Sequence, residues 1–344
     1  MNRVTVSRAI PDAGLRILQD AGAAVTVLQP DGEAFVDRTA LLEAAADADV
    51  LLSLLTERVD EELLRAGSRL RGVANYAVGY NNVDVTAATA LGIPVTNTPG
   101  VLTETTADLA WALLLAVARR IPEAHAYMAG GRYRIWGPQL LLGADVGPGA
   151  DGGRRTLGII GFGRIGQAVA RRARGFDMRV LAFDPYSRDA IAAFDGVEYA
   201  DLDDLLATSD FVTLHALLNE ETRHIIDERA LRLMKETACL VNVARGEMVD
   251  EAALVRALQH GWIAGAALDV FEHEPAMADG LADCANAVIV PHIGSATVGT
   301  RDRMAIMAAT NAVAHMRLER APNVVNPEVY DTVAYRQRVG SARA

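Results

Sequence analysis

The chain has 344 residues, 51% of them hydrophobic and 22% charged, with a formal net charge of −11. That length exceeds the roughly 250–300 residues at which a single core stops growing, so two domains are expected. The acidic balance lacks the clustered positive charge that grips phosphate backbones or anionic lipid, which argues against nucleic acid and membrane as partners and favours small-molecule chemistry. Cys239 and Cys284 form no CxxC pair, so neither a disulfide framework nor a zinc knuckle is expected. MNRVTVSRAIPDAG at the start carries no apolar run of signal-peptide length, and no window approaches a membrane span. A reducing cytoplasm fits this composition.

Short β-branched runs come first: VTV at 4–6, AVTV at 24–27, VLLSLL at 50–55, GVANY at 72–76 and IPVTN at 93–97. Helical patterns between them predict a parallel α/β unit. A long helix then starts at Thr103, where TETTAD supplies a capping-type beginning, and its apolar run ends before Arg119 and Arg120. Residues 130–155 are rich in glycine and read as an irregular arm. A second series follows, with six predicted strands: TLGII, RVLAF at 179–183, FVTLH at 211–215, CLVNV at 239–243, AGAALDV at 264–270 and AVIVP at 287–291. After Pro291 come a long helix over about 297–318, a short coda, PNVVNPEVY, and a basic end without apolar period. The expected architecture is α/β with two doubly wound parallel-sheet domains. A Rossmann coenzyme domain at 102–295 is inserted into a discontinuous flavodoxin-like substrate domain of 1–101 and 296–332, with a cleft between them and a flexible tail at 333–344.

Gly161-Phe162-Gly163-Arg164-Ile165-Gly166 follows a predicted strand and opens a helix. In that context the first glycine permits a tight turn, the second lets backbone approach a pyrophosphate, and the third allows close helix–sheet packing. Amides at the helix start then face phosphate. Asp184 stands 18 residues after Gly166, at the end of the next strand. A carboxylate there accepts hydrogen bonds from ribose hydroxyls and repels a 2′-phosphate, which favours NAD over NADP. Arg188 works against that preference, and a turn-forming role for Asp184 before Pro185 is the alternative.

Hydride transfer to a ketoacid needs a cation for the carboxylate and an acid for the carbonyl oxygen. Arg245 in VNVARGEMVDE, Glu274 in LDVFEHEP and His292 in VPHIGSAT all follow predicted strands, where open α/β sheets place their ligands. An arginine fork matches a carboxylate bidentately, histidine exchanges a proton near neutral pH, and a buried glutamate beside it favours imidazolium. Singly, each has a plain structural alternative: a solvated loop charge, a turn residue before Pro275, a satisfied core histidine. The motifs ANYAVGYNNVDV, TNTPGVLTETTADLAWALLLAVARR, GFGRIGQAVARRARGFDMRV, VNVARGEMVDE, GWIAGAALDVFEHEP and PHIGSAT, in this order over about residues 45–330, resemble those of the D-isomer-specific 2-hydroxyacid dehydrogenases. The glyoxylate/hydroxypyruvate reductase branch is the most similar.

That resemblance implies a catalytic arginine at Arg245, a histidine-orienting glutamate at Glu274 and an acid/base histidine at His292. It implies a backbone loop at Val78 and Gly79 beside the substrate carboxylate and an aspartate, Asp269, near the nicotinamide carboxamide. Arg164, Ile165, Val243 and Gly294 are implied as further coenzyme contacts. The expected activity is NADH-dependent reduction of a small 2-oxo acid to the D-2-hydroxy acid by a cytoplasmic homodimer. A D-3-phosphoglycerate dehydrogenase-like enzyme and an NAD-sensing corepressor-like binding protein stay open as alternatives. His215, His224 and the Glu272-His273-Glu274 cluster show no metal-binding spacing, so no metal is expected. Ser53, Leu54 and Trp136 are candidates for setting pocket width, with Trp136 equally readable as an inter-subunit or packing residue. Leu217 and Glu236 stand where the family usually has proline, and GPGADGGRR is longer and richer in glycine than the family's short turn.

Overall fold

The computed structural model describes residues 1–30 and 34–343, the side chains of the last three excepted. The chain divides into two compact units, Met1–Leu102 with Ala296–Ala344, and Thr103–Ser295. In the first, β1 (Arg3–Arg8), β2 (Ala24–Gln29), β3 (Val50–Ser53), β4 (Gly72–Asn75) and β5 (Val95–Thr96) form a parallel sheet in the order β2-β1-β3-β4-β5. In the second, β6 (Thr156–Ile160), β7 (Arg179–Phe183), β8 (Val197–Tyr199), β9 (Phe211–Leu214), β10 (Cys239–Asn242), β11 (Gly265–Leu268) and β12 (Ala287–Ile289) pair in parallel in the order β12-β11-β10-β9-β6-β7-β8. Both are doubly wound α/β sheets. The order reverses between β6 and β9, which opens the crevice where such sheets bind ligands.

Burial explains why the strands read so clearly. Every residue of β3, β4, β6, β9, β10 and β11 is buried, as expected where helices cover both faces of a parallel sheet. Aspartates cap several of the covering helices: Asp60 accepts from Leu63 N, Asp227 from Ala230 N and Asp250 from Ala253 N. The core of the first unit is completed by a helix far along the chain. Met304, Ala305, Ala308, Ala309 and Ala312 of Val298–Met316 pack on Val4, Val6, Val50 and Leu52. Alanines permit a close approach there, and a Cβ added at Gly14 would lie 2.7 Å from the Ala305 carbonyl oxygen.

Three elements differ from the sequence expectation. The second sheet has a seventh strand, β8, a half-exposed edge of three residues whose Glu198 pairs with Arg179 at 2.6 Å; it is too short for its alternation to be read. After Arg120 turns into the left-handed region (φ 53°), a separate helix runs over Ile121–Ala129 with none of its residues buried. The tail expected at 333–344 is instead helical over Val333–Arg343, with Ala344 outside the described residues. Arg338 ties that helix down by donating to the carbonyls of Leu91, Ser68 and Leu70 at 3.1, 3.1 and 2.7 Å.

The coda docks by backbone pairing. Val325 N donates to Val95 O at 2.8 Å, and buried Asn326 accepts from Val95 N at 2.8 Å while donating to Thr89 Oγ1 at 2.9 Å and Ile93 O at 3.1 Å. Asn326→Ala would strand the buried Val95 N–H and is expected to cost roughly 2 kcal/mol. Urea denaturation should show a lower midpoint at unchanged slope; an unchanged midpoint would contradict this account.

Candidate active site

The glycine turn sits at the carboxyl end of β6. Gly161 adopts φ +91°, and a Cβ on it would lie 2.3 Å from Ala216 N, just beyond β9. A Cβ on Gly166 would lie 2.2 Å from Gly161 O, so this glycine sets the helix against the strand. A Cβ on Gly163 would meet no other part of the fold within 4 Å. The helix Arg164–Ala173 begins there without a side-chain cap, leaving its first amides as donors for an anion. Arg164 is exposed and Ile165 half-buried. At the end of the neighbouring β7, Asp184 accepts from Phe162 N at 2.9 Å and Tyr186 N at 3.0 Å. Both of its sequence readings are therefore compatible: it shapes the turn and presents a fixed carboxylate. A permissive glycine cradle, uncapped amides and this carboxylate fit a dinucleotide.

Arg245 lies on the loop after β10. Asn242 at the strand end donates to Arg245 O at 2.8 Å and accepts from Ala244 N at 3.0 Å, which folds the loop back on itself. Val243 packs into the core beside Val241 and Ala267. Burial draws the Arg245 pKa below its ordinary value, against the opposing charges of Glu274 and Glu247; guanidinium remains charged throughout the working range. Gly246 decides how near this loop comes to the next, since a Cβ there would lie 1.9 Å from the Phe271 carbonyl carbon.

Beyond β11 and β12 the acid and the imidazole meet. His292 Nδ1 and Glu274 Oε2 lie 2.9 Å apart, and because a carboxylate can only accept, Nδ1 carries the proton and Nε2 is left to react. Glu274 Oε1 accepts from Phe271 N at 3.1 Å. Burial opposes ionisation of Glu274, but the hydrogen bond and charge of His292, the Phe271 amide and Arg245 outweigh it, and its carboxyl lies below the usual range. Because the folded pKa of Glu274 is depressed, the stability this carboxylate contributes is present above the ordinary glutamate pKa and fades as pH falls through the lower, folded value.

His292 itself has a left-handed backbone (φ 53°), with its N–H donating to Asp269 O at 2.9 Å. The Asp269 carboxylate, almost fully buried, accepts from Ile293 N and from Gly294 N at 2.6 and 2.8 Å. Burial pushes the Asp269 pKa up, opposed by the Ile293 amide, the His292 charge and the Gly294 amide. Gly294 has little room for a side chain, a Cβ there being 3.0 Å from Asp269 Oδ2.

Val78 and Gly79 belong to the first unit, on the loop after β4. Asn97 donates to Val78 O at 2.8 Å and Asn75 to Gly79 O at 3.0 Å, so the loop is held through its carbonyls. Trp136 is 73% exposed and contributes to no core of its own chain. Among the histidines considered for metal, His224 Nε2 pairs with Glu272 Oε1 at 2.7 Å, and burial pushes His215 down to about 3, neutral at working pH. Among the described residues no group of three or more His, Cys, Asp and Glu is arranged to hold a metal. Sequence reasoning missed Asn242, Gly246 and Glu251. Glu251 reads as an ordinary first-turn acid, yet it is 3% exposed and accepts from Glu272 N at 2.5 Å and Ala278 N at 2.8 Å, bracketing the loop that carries Glu274.

A dinucleotide turn, a half-buried arginine and a carboxylate–imidazole pair on the carboxyl edge of one doubly wound sheet define a nicotinamide-dependent oxidoreductase. The family model of the D-isomer specific 2-hydroxyacid dehydrogenase NAD-binding domain matches residues 111–294. A glyoxylate reductase of Korarchaeum cryptofilum is 51% identical over 329 residues, covering 95% of this chain and 96% of that protein. Among solved structures, the TT0316 protein of Thermus thermophilus superposes with a TM-score of 0.85 at 42% identity, covering 94% of this chain and 99% of that one. An NADPH-dependent glyoxylate/hydroxypyruvate reductase from Sinorhizobium meliloti, in complex with NADP and malonate, gives 0.78 at 32% identity, covering 94% of this chain and 96% of that one. The chain belongs to the D-isomer specific 2-hydroxyacid dehydrogenase family.

Gly246→Ala tests the loop contact. The added methyl must push the Arg245 loop or the Phe271–Glu272 peptide aside, and a shift of about 1 Å costs on the order of 10²-fold in rate. The expected result is a fall of that size in kcat/KM with the fold retained by circular dichroism; wild-type kinetics would show that the contact does not govern the site.

Proposed function

We propose that the protein reduces glyoxylate or hydroxypyruvate with NADH, giving glycolate or D-glycerate. The 2.9 Å pairing of Glu274 with His292 carries this reading, and the name glyoxylate reductase borne by a relative 51% identical favours it over the phosphoglycerate and corepressor alternatives. A bound reduced nicotinamide supplies the hydride. Arg245 grips the substrate carboxylate with its planar fork and polarises the adjacent ketone. The peptide groups of Val78 and Gly79 serve the same carboxylate. His292 Nε2 donates a proton to the carbonyl oxygen, and in the oxidative direction accepts one from the hydroxyl. Glu274 keeps the imidazole in the tautomer and charge state that donation needs. Asp269 holds the His292 turn and serves the carboxamide of the coenzyme, while Gly161, Gly163, Arg164, Ile165, Gly166, Val243 and Gly294 line its path.

Preference for NADH rests on Asp184, whose fixed carboxylate would repel a 2′-phosphate. Arg188 offers little compensation, since it donates to Tyr199 Oη at 2.7 Å and lies over that ring at 4.2 Å. The domain roles follow: 1–101 with 296–332 binds substrate, and 102–295 binds NAD. A homodimer is part of the same reading, because Ile121–Ala129 buries nothing in its own chain and Ile135 and Trp136 are 81% and 73% exposed. A cytoplasmic setting agrees with the two free, buried cysteines; among the described residues no helix is long and apolar enough to cross a membrane.

His292→Ala is expected to lower kcat with glyoxylate by about 10²–10⁴-fold while NADH binding by fluorescence titration barely changes; retained turnover would remove the mechanism. In the same assay Glu274→Gln should lower kcat, since the imidazole loses the carboxylate that fixes its tautomer, and kcat/KM should be higher with NADH than with NADPH. For the dimer, Ile135→Asp should sediment as a monomer where the wild type sediments at twice the mass. A monomeric wild type would discard that part of the reading.

A further inference from the structure

A cavity of about 600 Å³ lies in the first unit, beneath the C-terminal helix and lined by Asp49, Arg69, Arg71, Leu91, Ala334 and Arg338 among others. It sits at the amino ends of β3 and β4, because Asp49 directly precedes Val50 and Arg71 directly precedes Gly72. This is the edge of the sheet opposite the carboxyl ends that carry Ser53 and the loop at Val78 and Gly79.

Its charges do not balance. Asp49 is 2% exposed and its one carboxylate is shared: Oδ1 meets Arg69 Nη2 at 3.1 Å and Arg71 Nη2 at 3.4 Å, while Oδ2 accepts from Arg3 N at 2.8 Å. Arg71 spends Nη1 on Asn2 Oδ1 and Met316 O. Arg338 donates through Nε and Nη1 to carbonyl oxygens only and, among the described residues, makes no ion pair. Its pKa is drawn down by burial with no carboxylate to oppose the shift. Three guanidinium groups thus face one saturated carboxylate, inside a chain whose net charge is −11. Unmatched cations around a cavity are what a bound anion resolves.

We propose that this cavity binds a small dianion, a phosphate or a dicarboxylate, at a site separate from the carboxyl edges of the sheets, and that the bound anion secures the C-terminal helix. Isothermal calorimetry and thermal unfolding of the full chain test it, with NAD saturating so that the dinucleotide cradle is filled. The probes are inorganic phosphate and malonate in low-chloride buffer, and glyoxylate turnover is followed in parallel. Saturable uptake near one equivalent per chain with a raised unfolding temperature is expected from one probe or both, and the probe that binds identifies the class. Arg338→Ala should abolish uptake, but it also releases the helix, so Arg69→Glu decides. That side chain is 54% exposed and reverses the local charge without entering the core. It should weaken the anion by at least about tenfold, the value of one charge-assisted contact, and leave turnover unchanged. Malonate held at Arg245 would appear as inhibition of turnover that persists in Arg69→Glu, which separates the sites. No saturable uptake of either probe by the wild type, or equal uptake by Arg69→Glu, overturns the proposal.

Discussion

Backbone amides that fold into the interior must find acceptors, and at the carboxyl edge of the second sheet two buried carboxylates provide them. Asp269 and Glu251, 1% and 3% exposed, each spend both oxygens on main-chain N–H groups. Their targets are the two loops that carry His292 and Glu274. A buried charge is costly unless it is hydrogen-bonded, and here the bonding is complete on every carboxylate oxygen. The exchange also covers strain. A left-handed residue other than glycine costs about 1–3 kcal/mol, whereas a hydrogen bond to a charged group contributes about 1.5–3 kcal/mol. The two amides on Asp269, together with the His292 N–H, therefore hold the imidazole in a backbone conformation it would not otherwise adopt.

The same edge depends on missing side chains. Gly246 brings the Arg245 loop against the Phe271–Glu272 peptide, and Gly161 and Gly166 bring the helix Arg164–Ala173 against β6 and the segment after β9, each within distances that exclude a Cβ. Parallel strands end at one level, so loops from β6, β10, β11 and β12 converge there by topology; glycine fixes how closely. Arg245 and Glu274 influence each other electrostatically because of that closeness.

Legibility follows burial. Strands such as CLV at 239–241 and LGII at 157–160 are apolar without interruption because both faces of the sheet are covered, and their sequence bounds agree with the structure to within a residue or two. β8 escapes because an edge strand of three residues with a central glutamate has no pattern. The helix Ile121–Ala129 escapes because no face of it is buried in its own chain. The C-terminal helix escapes because its anchor, Arg338, bonds to carbonyls some 250 residues earlier, and a basic residue in a polar stretch carries no sign of that. Arg245, Glu274 and His292 are legible from their motifs. Asn242, Gly246 and Glu251 are not, since their partners are main-chain atoms, and main-chain partners leave no trace in residue identity.

Charge at the site is set locally. Exposed charges fade beyond a screening length of about 8 Å, so an acidic surface weighs little on the half-buried Arg245 guanidinium. Glu274 weighs more, and its weight depends on His292. With a neutral imidazole the glutamate offsets part of the Arg245 charge. With imidazolium at 2.9 Å that offset is taken up, and Arg245 presents its charge to an incoming carboxylate less opposed. Linkage makes the effect mutual: an anion seated on Arg245 favours the proton on His292 by the same free energy that the proton favours the anion. On the proposed reading, the substrate's anchor and the acid are coupled through a single glutamate.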